Sequence, residues 1–210
     1  MKSNYFSFCK HTPHVFDIDV AKDETLTPLT DLDRGNEKLM NYLYEWRLNA
    51  IEFRDPIPPT YQSTINWFNN IYLPNDNKIL FLIKNKKVPI GHIGLNFFFE
   101  TSALIELDNV IRGENSICKG IMSRSLQSLL LWASQKFNPV LYYLRVLPTN
   151  VHAINFYKFN NFSKEFTSMI KLSQEYSSFH DSKKYVDQSL ESDKRMIVMK
   201  LKDSKYPSCE

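Results

Sequence analysis

The sequence predicts an α+β fold in which helices flank a mixed, mostly antiparallel sheet. Two segments with the 3.6-residue apolar spacing of helices come early, a meander of strand-patterned segments follows, and two more helices then alternate with strands. With 210 residues, 43% of them hydrophobic, the chain is long enough to bury one substantial core. We therefore expect one domain over residues 24–210, preceded by an extension over residues 1–23 whose alternating pattern favours an extra strand.

The first half of this domain contains a strand, two helices and the start of the meander. After a strand near residue 26, apolar residues recur at helical spacing from Asn36, until three prolines at residues 56–59 end that helix. A second helix is expected over residues 60–73, with Thr60 as its N-cap. Residues 78–99 then predict a β-hairpin that turns at "KNKK".

The next strand, residues 102–114, carries two carboxylates on one expected face. Strict alternation would place Ile105, Leu107, Asn109 and Ile111 on one side and Glu106, Asp108, Val110 and Arg112 on the other. Two carboxylates so close together would raise the pKa of one of them. This pair is therefore a candidate for proton transfer.

The second half begins with a polar loop that leads into an apolar helix. The helix stripe is expected to comprise Met122, Leu126, Leu129, Leu130, Ala133 and Phe137. A buried strand follows near residue 141, then a short helix capped by Thr149 or Asn150, and two late strands. The polar stretch at residues 173–193, between those strands, is expected to be a surface insertion or a mobile flap.

Composition argues against several classes of protein. The net charge of +3, with no block of Lys or Arg, disfavours a nucleic-acid partner, and no stretch of about 18 apolar residues predicts a membrane span. Cys9, Cys118 and Cys209 are widely spaced, and His11 and His14 lack further ligands nearby, so we expect no disulfide framework and no metal. Cysteines without a disulfide framework fit a reducing cytoplasm, which is the expected location, and the N-terminal segment lacks the continuous apolar region of a signal peptide.

Four motifs, together with the predicted order of strands and helices, resemble the GNAT superfamily of acetyl-coenzyme A-dependent N-acetyltransferases over residues 26–202. They are "PIGHIGL", "IELDNVIRGE", "CKGIMSRSLQSLLLWA" and "LRVLPTNVHAINFYKFNNF". The last is the most specific, because it is similar to the superfamily's "N..A...Y...GF" signature, with Asn161 in place of the glycine. The third motif keeps only Gly120 of the usual loop glycines, with Ile117 and Met122 at other pattern positions.

The resemblance implies acetyl-coenzyme A as co-substrate and a set of residues that bind it. Backbone N–H groups at a helix N-terminus suit a diphosphate, and Gly120 would allow a close approach. The fourth strand of the family would pair with the pantetheine amides. The implied coenzyme-binding residues are Val110, Ile111, Arg112, Lys119, Gly120, Ile121, Met122, Ser123, Asn150 and Tyr157.

Direct transfer to an amine also needs a base and an acid. Glu106 aligns with a glutamate of the family strand and is the preferred base; Asp108 and His92 are alternatives, and the carboxylate could act through water. Tyr157 is expected to protonate the leaving thiolate.

The acceptor is open between several classes. Trp46, Arg47 and Asn49 come from the helices that cover the acceptor side in the family, although core packing is the other interpretation of the tryptophan. "YEWRLNAIEF" and "GIM" are similar to enzymes that acetylate nucleotide-linked amino sugars for surface polysaccharides. The alternatives are a ribosomal-protein-type N-terminal acetyltransferase and a catalytically silent acyl-coenzyme A-binding module. We expect a small-molecule amine as acceptor, and a homodimer remains open.

Overall fold

The computed structural model describes residues 16–51, 57–98, 104–113, 118–171 and 193–202. The strands are β1 (Ile18–Ala21), β2 (Glu24–Pro28), β3 (Lys78–Asn85), β4 (Val88–Phe98), β5 (Leu104–Arg112), β6 (Leu141–Val146), β7 (Phe162–Lys171) and β8 (Asp193–Leu201). The helices are α1 (Glu37–Asn49), α2 (Tyr61–Asn66), α3 (Ile121–Phe137) and α4 (Val151–Phe159). A π-helical turn, Trp67–Tyr72, continues α2.

The strands form one eight-stranded sheet in the order β1-β2-β3-β4-β5-β6-β8-β7. Only the β5–β6 pair is parallel, so the predicted α+β class with a mostly antiparallel sheet is confirmed. β1 pairs with β2 at the edge, as the pattern of the N-terminal extension favours. The first fifteen residues, residue 117 and most of the predicted insertion at residues 173–193 lie outside the described residues.

Each face of the sheet supports a separate apolar cluster. α3 and Tyr157 of α4 pack on one face, and α1 with the α2 segment packs on the other. β3 serves both faces, because Phe81 points into the first cluster while Leu80 and Leu82 point into the second. The whole predicted stripe of α3 is buried in the first cluster.

The helices begin in two different ways. Asn36, Thr60 and Asn150 cap α1, α2 and α4 by accepting a hydrogen bond from a backbone N–H three residues on, at 3.0 to 3.1 Å. α3 instead begins after Gly120, whose φ is +82° and which has no side chain to offer. The N-terminus of α3 is therefore the one among these four helices that no side chain caps.

The predicted alternation along β5 is wrong from Val110 onward. Gly94 pairs with Asp108 but His92 pairs with Ile111, so two residues of β5 oppose one of β4. Asn109 forms this bulge with a φ of +50°. Because a bulge reverses the faces, Ile111 packs with the α1 cluster and Val110 with the α3 cluster, opposite to their predicted sides.

None of the helices in the described part of the chain has both the length and the apolar character that crossing a bilayer requires.

Candidate active site

The parallel pairing of β5 with β6 ends inside the sheet. Residues 104–107 pair with residues 141–144, and β5 then continues to Arg112 while staying paired with β4. The predicted pantetheine-binding positions, Val110, Ile111 and Arg112, all lie on this continuation of β5. The side of β5 away from β4 is thus the place where an extended ligand could pair with these backbone groups.

Glu106 lies beside the point where this pairing ends. It belongs to a cross-strand row in which Lys78 pairs with Asn96, Asn96 with Glu106, and Glu106 with Tyr143. These four residues share one face of the sheet, because residues in register point the same way. The row joins four neighbouring strands, β3 to β6, and Glu106 is its member from the predicted site.

A buried ion pair holds the Glu106 carboxylate. Arg145 of β6 donates to it through Nε at 2.5 Å and Nη2 at 3.2 Å, and only 5% of the glutamate side chain is exposed. Burial raises the pKa of Glu106 above its usual value, although Arg145 opposes this shift. The predicted rise in a carboxylate pKa therefore has burial, rather than the neighbouring Asp108, as its main cause.

Asp108 is the more accessible of the two carboxylates. Lys78 Nζ lies 2.9 Å from Asp108 Oδ2, and about a quarter of each side chain is exposed. Gly94 separates their strands, and a Cβ there would lie 2.7 Å from the hydroxyl of Tyr72. The missing side chain therefore lets the Tyr72 phenol approach β4 closely, and the centre of its ring lies 5.9 Å from Lys78 Nζ.

His92 lies apart from this group. Its side chain is fully buried, its ring centroid is 6.0 Å from that of Trp46, and its Nδ1 is 2.6 Å from the backbone oxygen of Asn109. A carbonyl oxygen can only accept, so Nδ1 carries the proton in that hydrogen bond. The structure thus gives this predicted base a contact with the backbone of the bulge.

Two of the three predicted acceptor residues are packed in the interior. Trp46 is 5% exposed and lies so close to Gly113 that a Cβ there would be 2.0 Å from the indole ring. Arg47 is 8% exposed, with its guanidinium 4.3 Å from the centre of the Trp67 ring. Asn49 is exposed, on a different face of α1. These positions agree with the core-packing interpretation of Trp46.

The loop before α3 uses some of its backbone donors internally. Ile121 N–H donates to the Cys118 carbonyl at 3.3 Å, and Ser123 N–H donates to the Gly120 carbonyl at 3.1 Å. Lys119 and Gly120 are exposed, whereas the Met122 side chain is buried in the core. Within the predicted set, Gly120, Lys119 and the Ser123 hydroxyl are thus better placed to meet a ligand than the Met122 side chain.

An ion pair that the sequence does not reveal braces this loop. Glu24 of β2 is 5% exposed and accepts from Arg124 Nε at 2.8 Å and Nη2 at 2.5 Å. Arg124 Nη1 also donates to the Lys119 carbonyl at 3.1 Å. Hydrogen bonding to Glu24 raises the pKa of the Arg124 guanidinium above its usual value. The one available signal is that Glu24 is in phase with Leu26 on the buried side of β2.

α4 carries the predicted residues Asn150 and Tyr157, and its C-terminal end contacts the start of α3. Asn150 caps the helix, and Tyr157 is 7% exposed between the rings of Phe156 and Phe162, at 5.2 and 5.9 Å. Directly after α4, Asn160 donates to the hydroxyl of Ser123 in the first turn of α3. Among the described residues, no three His, Cys, Asp or Glu side chains form a group that could hold a metal.

Comparison with known proteins identifies the family to which this fold and this site are similar. The model of the acetyltransferase (GNAT) family matches residues 40–162. No curated protein matches the sequence.

Solved structures with a similar fold cover most of this chain. One is RimL, a ribosomal L7/L12 alpha-N-protein acetyltransferase in complex with coenzyme A (14% identity, TM-score 0.61, 88% of this chain and 97% of that one). Another is a GCN5-related N-acetyltransferase from Brucella melitensis (13% identity, TM-score 0.66, 93% and 82%). A third is an acetyltransferase of the GNAT family from Streptococcus pneumoniae (16% identity, TM-score 0.56, 84% and 97%). At these identities the likeness is one of fold.

Proposed function

Because this chain belongs to the acetyltransferase (GNAT) family, we propose that it transfers an acetyl group from acetyl-coenzyme A directly to a primary amine. The observation that carries the proposal is the uncapped N-terminus of α3 at the left-handed Gly120, where exposed backbone and Lys119 meet. Such a terminus favours a diphosphate through its N–H groups and its partial positive charge. Acetyl-coenzyme A supplies the activated acetyl thioester when it is bound.

The residues on β5 support the placement of the rest of the coenzyme. Pantetheine carries two amides, and an extended chain with amides pairs with an available strand edge as a further strand would. The continuation of β5 past its pairing with β6, residues 110–112, is the edge in question. Asn150 and Tyr157 of the α4 segment are proposed to contact the coenzyme as well.

Two carboxylates can take the proton of the attacking amine. In the reaction the nitrogen forms a bond to the acetyl carbon, the carbon–sulfur bond breaks, a proton leaves the nitrogen, and another reaches the thiolate. Asp108 is accessible enough to receive the first proton directly. Glu106 is more enclosed, so we propose that it receives the proton through a water molecule. Tyr157 is the proposed donor to the thiolate.

For the acceptor we propose an amino sugar linked to a nucleotide, on the sequence similarity of "YEWRLNAIEF" and "GIM". The second candidate is the N-terminal amine of a protein, which the likeness in fold to RimL favours. Lys78 and Arg145 could interact with an anionic acceptor, but each already has a carboxylate partner, so these charges do not decide between the two.

A screen of amines with detection of released coenzyme A thiol tests the function. Nucleotide-linked amino sugars, amino acids and short peptides with free N-termini would be compared at saturating acetyl-coenzyme A, with N-acetylated versions of the same compounds as matched controls. Turnover with the sugars alone supports the first acceptor, and turnover with the peptides supports the second. Coenzyme binding without turnover on any amine would identify a silent acyl-coenzyme A-binding module. If calorimetry finds no binding of acetyl-coenzyme A at millimolar concentration, the whole proposal fails.

A further inference from the structure

Asn160 makes a polar contact in the interior that its own packing does not require. Its side chain is 6% exposed and lies directly after α4, next to the first turn of α3. The amide nitrogen donates to the Ser123 hydroxyl oxygen at 3.1 Å and to the Phe156 carbonyl at 2.8 Å. Because a carbonyl only accepts, the contact with Phe156 establishes which end of the amide is the nitrogen.

The number of protons on the Asn160 amide then determines whether the Ser123 hydroxyl donates or accepts in this contact. Both protons of the Asn160 amide are used, one toward Phe156 and one toward Ser123. The Ser123 oxygen is therefore an acceptor in this contact, and its own proton must point elsewhere. Within the described residues that proton has no acceptor, and Ser123 lies in the first turn of α3, where an anion is favoured.

The same side chain has an unsatisfied atom. Among the described residues, no donor reaches the buried oxygen Oδ1 of Asn160. A buried acceptor without a partner destabilises the folded chain, and an apolar side chain of similar size would avoid that loss. The asparagine is thus a poor choice for packing alone, which points to a role in ligand binding.

We propose that Asn160 is a positioning residue for the coenzyme: by donating to the Ser123 oxygen, it holds the hydroxyl proton toward the diphosphate. This inference rests on the proposed function, because it needs coenzyme A to bind at the start of α3. Ser123 is the direct contact, and Asn160 acts through it.

A double-mutant cycle on coenzyme A affinity, measured by calorimetry, tests the proposal. We expect Ser123→Ala to weaken binding about tenfold, the usual loss for a hydrogen bond to a charged group. Asn160→Leu should weaken it about fivefold, while its melting temperature stays within about 3 °C of the wild type or rises. The double variant should bind within about twofold of Ser123→Ala alone, because Asn160 has nothing left to orient. Ser125→Ala is the matched control, since that hydroxyl is fully buried two residues along α3, and it should leave affinity unchanged.

Any other outcome contradicts one specific part of the proposal. If the losses of the two single variants multiply in the double variant, Asn160 does not act through Ser123. If Asn160→Leu lowers the melting temperature without changing affinity, its role is structural. The cycle repeated with 3′-dephospho-coenzyme A should show the same coupling; if the coupling disappears, Ser123 faces the 3′-phosphate and the assignment to the diphosphate is wrong. If the wild type binds no coenzyme A, the proposed function itself fails, whereas binding with an independent Asn160 refutes only this inference.

Discussion

Replacing Arg124 with methionine should destabilise the protein and loosen the loop before α3. The substitution removes both hydrogen bonds to Glu24 and the one to the Lys119 carbonyl, and it leaves a carboxylate that is only 7% exposed without its cation. Breaking a buried ion pair from one side costs about 3–5 kcal/mol. Since 40% of the Arg124 side chain is exposed, water can reach the abandoned carboxylate, and we expect a smaller loss of about 2 kcal/mol.

That loss corresponds to a melting temperature about 4–8 °C lower for a chain of this size, which differential scanning fluorimetry can measure. Arg34→Met is the matched control, because Arg34 also contacts one carboxylate, Asp31, and one carbonyl. In that pair, however, both charged side chains are about one-third exposed. An exposed pair contributes about 0–1 kcal/mol, so the control should shift the melting temperature much less.

The double variant Glu24→Gln, Arg124→Met makes the reasoning refutable. With the carboxylate neutralised, it should lose clearly less stability than the sum of the two single variants. Additive losses would mean that the pair contributes through its packing and not through charge. In the two variants that carry Arg124→Met, the KM for acetyl-coenzyme A should rise about threefold to tenfold with little change in kcat, because Arg124 tethers the Lys119 carbonyl beside Gly120. An unchanged KM would show that the loop keeps its shape without the tether.

Three further predictions concern the site. If Glu106 is the base, the rate rises with pH as its carboxyl loses its proton, and burial moves this rise to higher pH because it raises the pKa of Glu106. Glu106→Gln should abolish this rise in the pH–rate profile; an unchanged rise would assign the base to Asp108 or water. Tyr157→Phe should lower kcat at least about tenfold, with little change in coenzyme affinity by calorimetry, and an unchanged kcat would remove its acid role. Gly113→Ala should lower stability by about 1–3 kcal/mol in chemical denaturation, because the added Cβ overlaps the Trp46 ring. Pairing it with Trp46→Leu should relieve part of this loss, and no relief would contradict the cause.

Local patterns predicted the elements that depend on local physics. The α3 stripe from Met122 to Phe137 is buried as its spacing indicates, and Thr60 and Asn150 cap the helices they precede. Both kinds of signal act within one or two helical turns, so a single sequence contains them completely. The same holds for the order of strands and helices, which follows from where the period changes along the chain.

Contacts between distant strands were not predictable in this way. Arg145 meets Glu106 because β6 is parallel to β5 and in register with it, and Arg124 meets Glu24 from a hundred positions away. Nothing in the residues near Glu106 or Glu24 identifies those cations. The sequence does indicate that Glu24 requires a cationic partner. Glu24 is in phase with Leu26 on the buried face of β2, and a buried carboxylate is costly unless it is paired.

The bulge at Asn109 explains why strict alternation succeeded for the carboxylates and failed just beyond them. Up to Asp108 the strand has period two, so Glu106 and Asp108 share a face as expected. Asn109 then takes a φ of +50°, a conformation that asparagine tolerates better than most residues, and the faces exchange. Asn109 is a polar residue that tolerates this conformation, and Leu107 and Ile111, its neighbours on the predicted face, are apolar. It was therefore the visible sign of an irregular strand. The bulge also has a consequence for the site, because it changes the direction of β5 where its pairing with β6 has already ended. One residue therefore separates Asp108, one of the candidate bases, from the backbone proposed to bind the coenzyme.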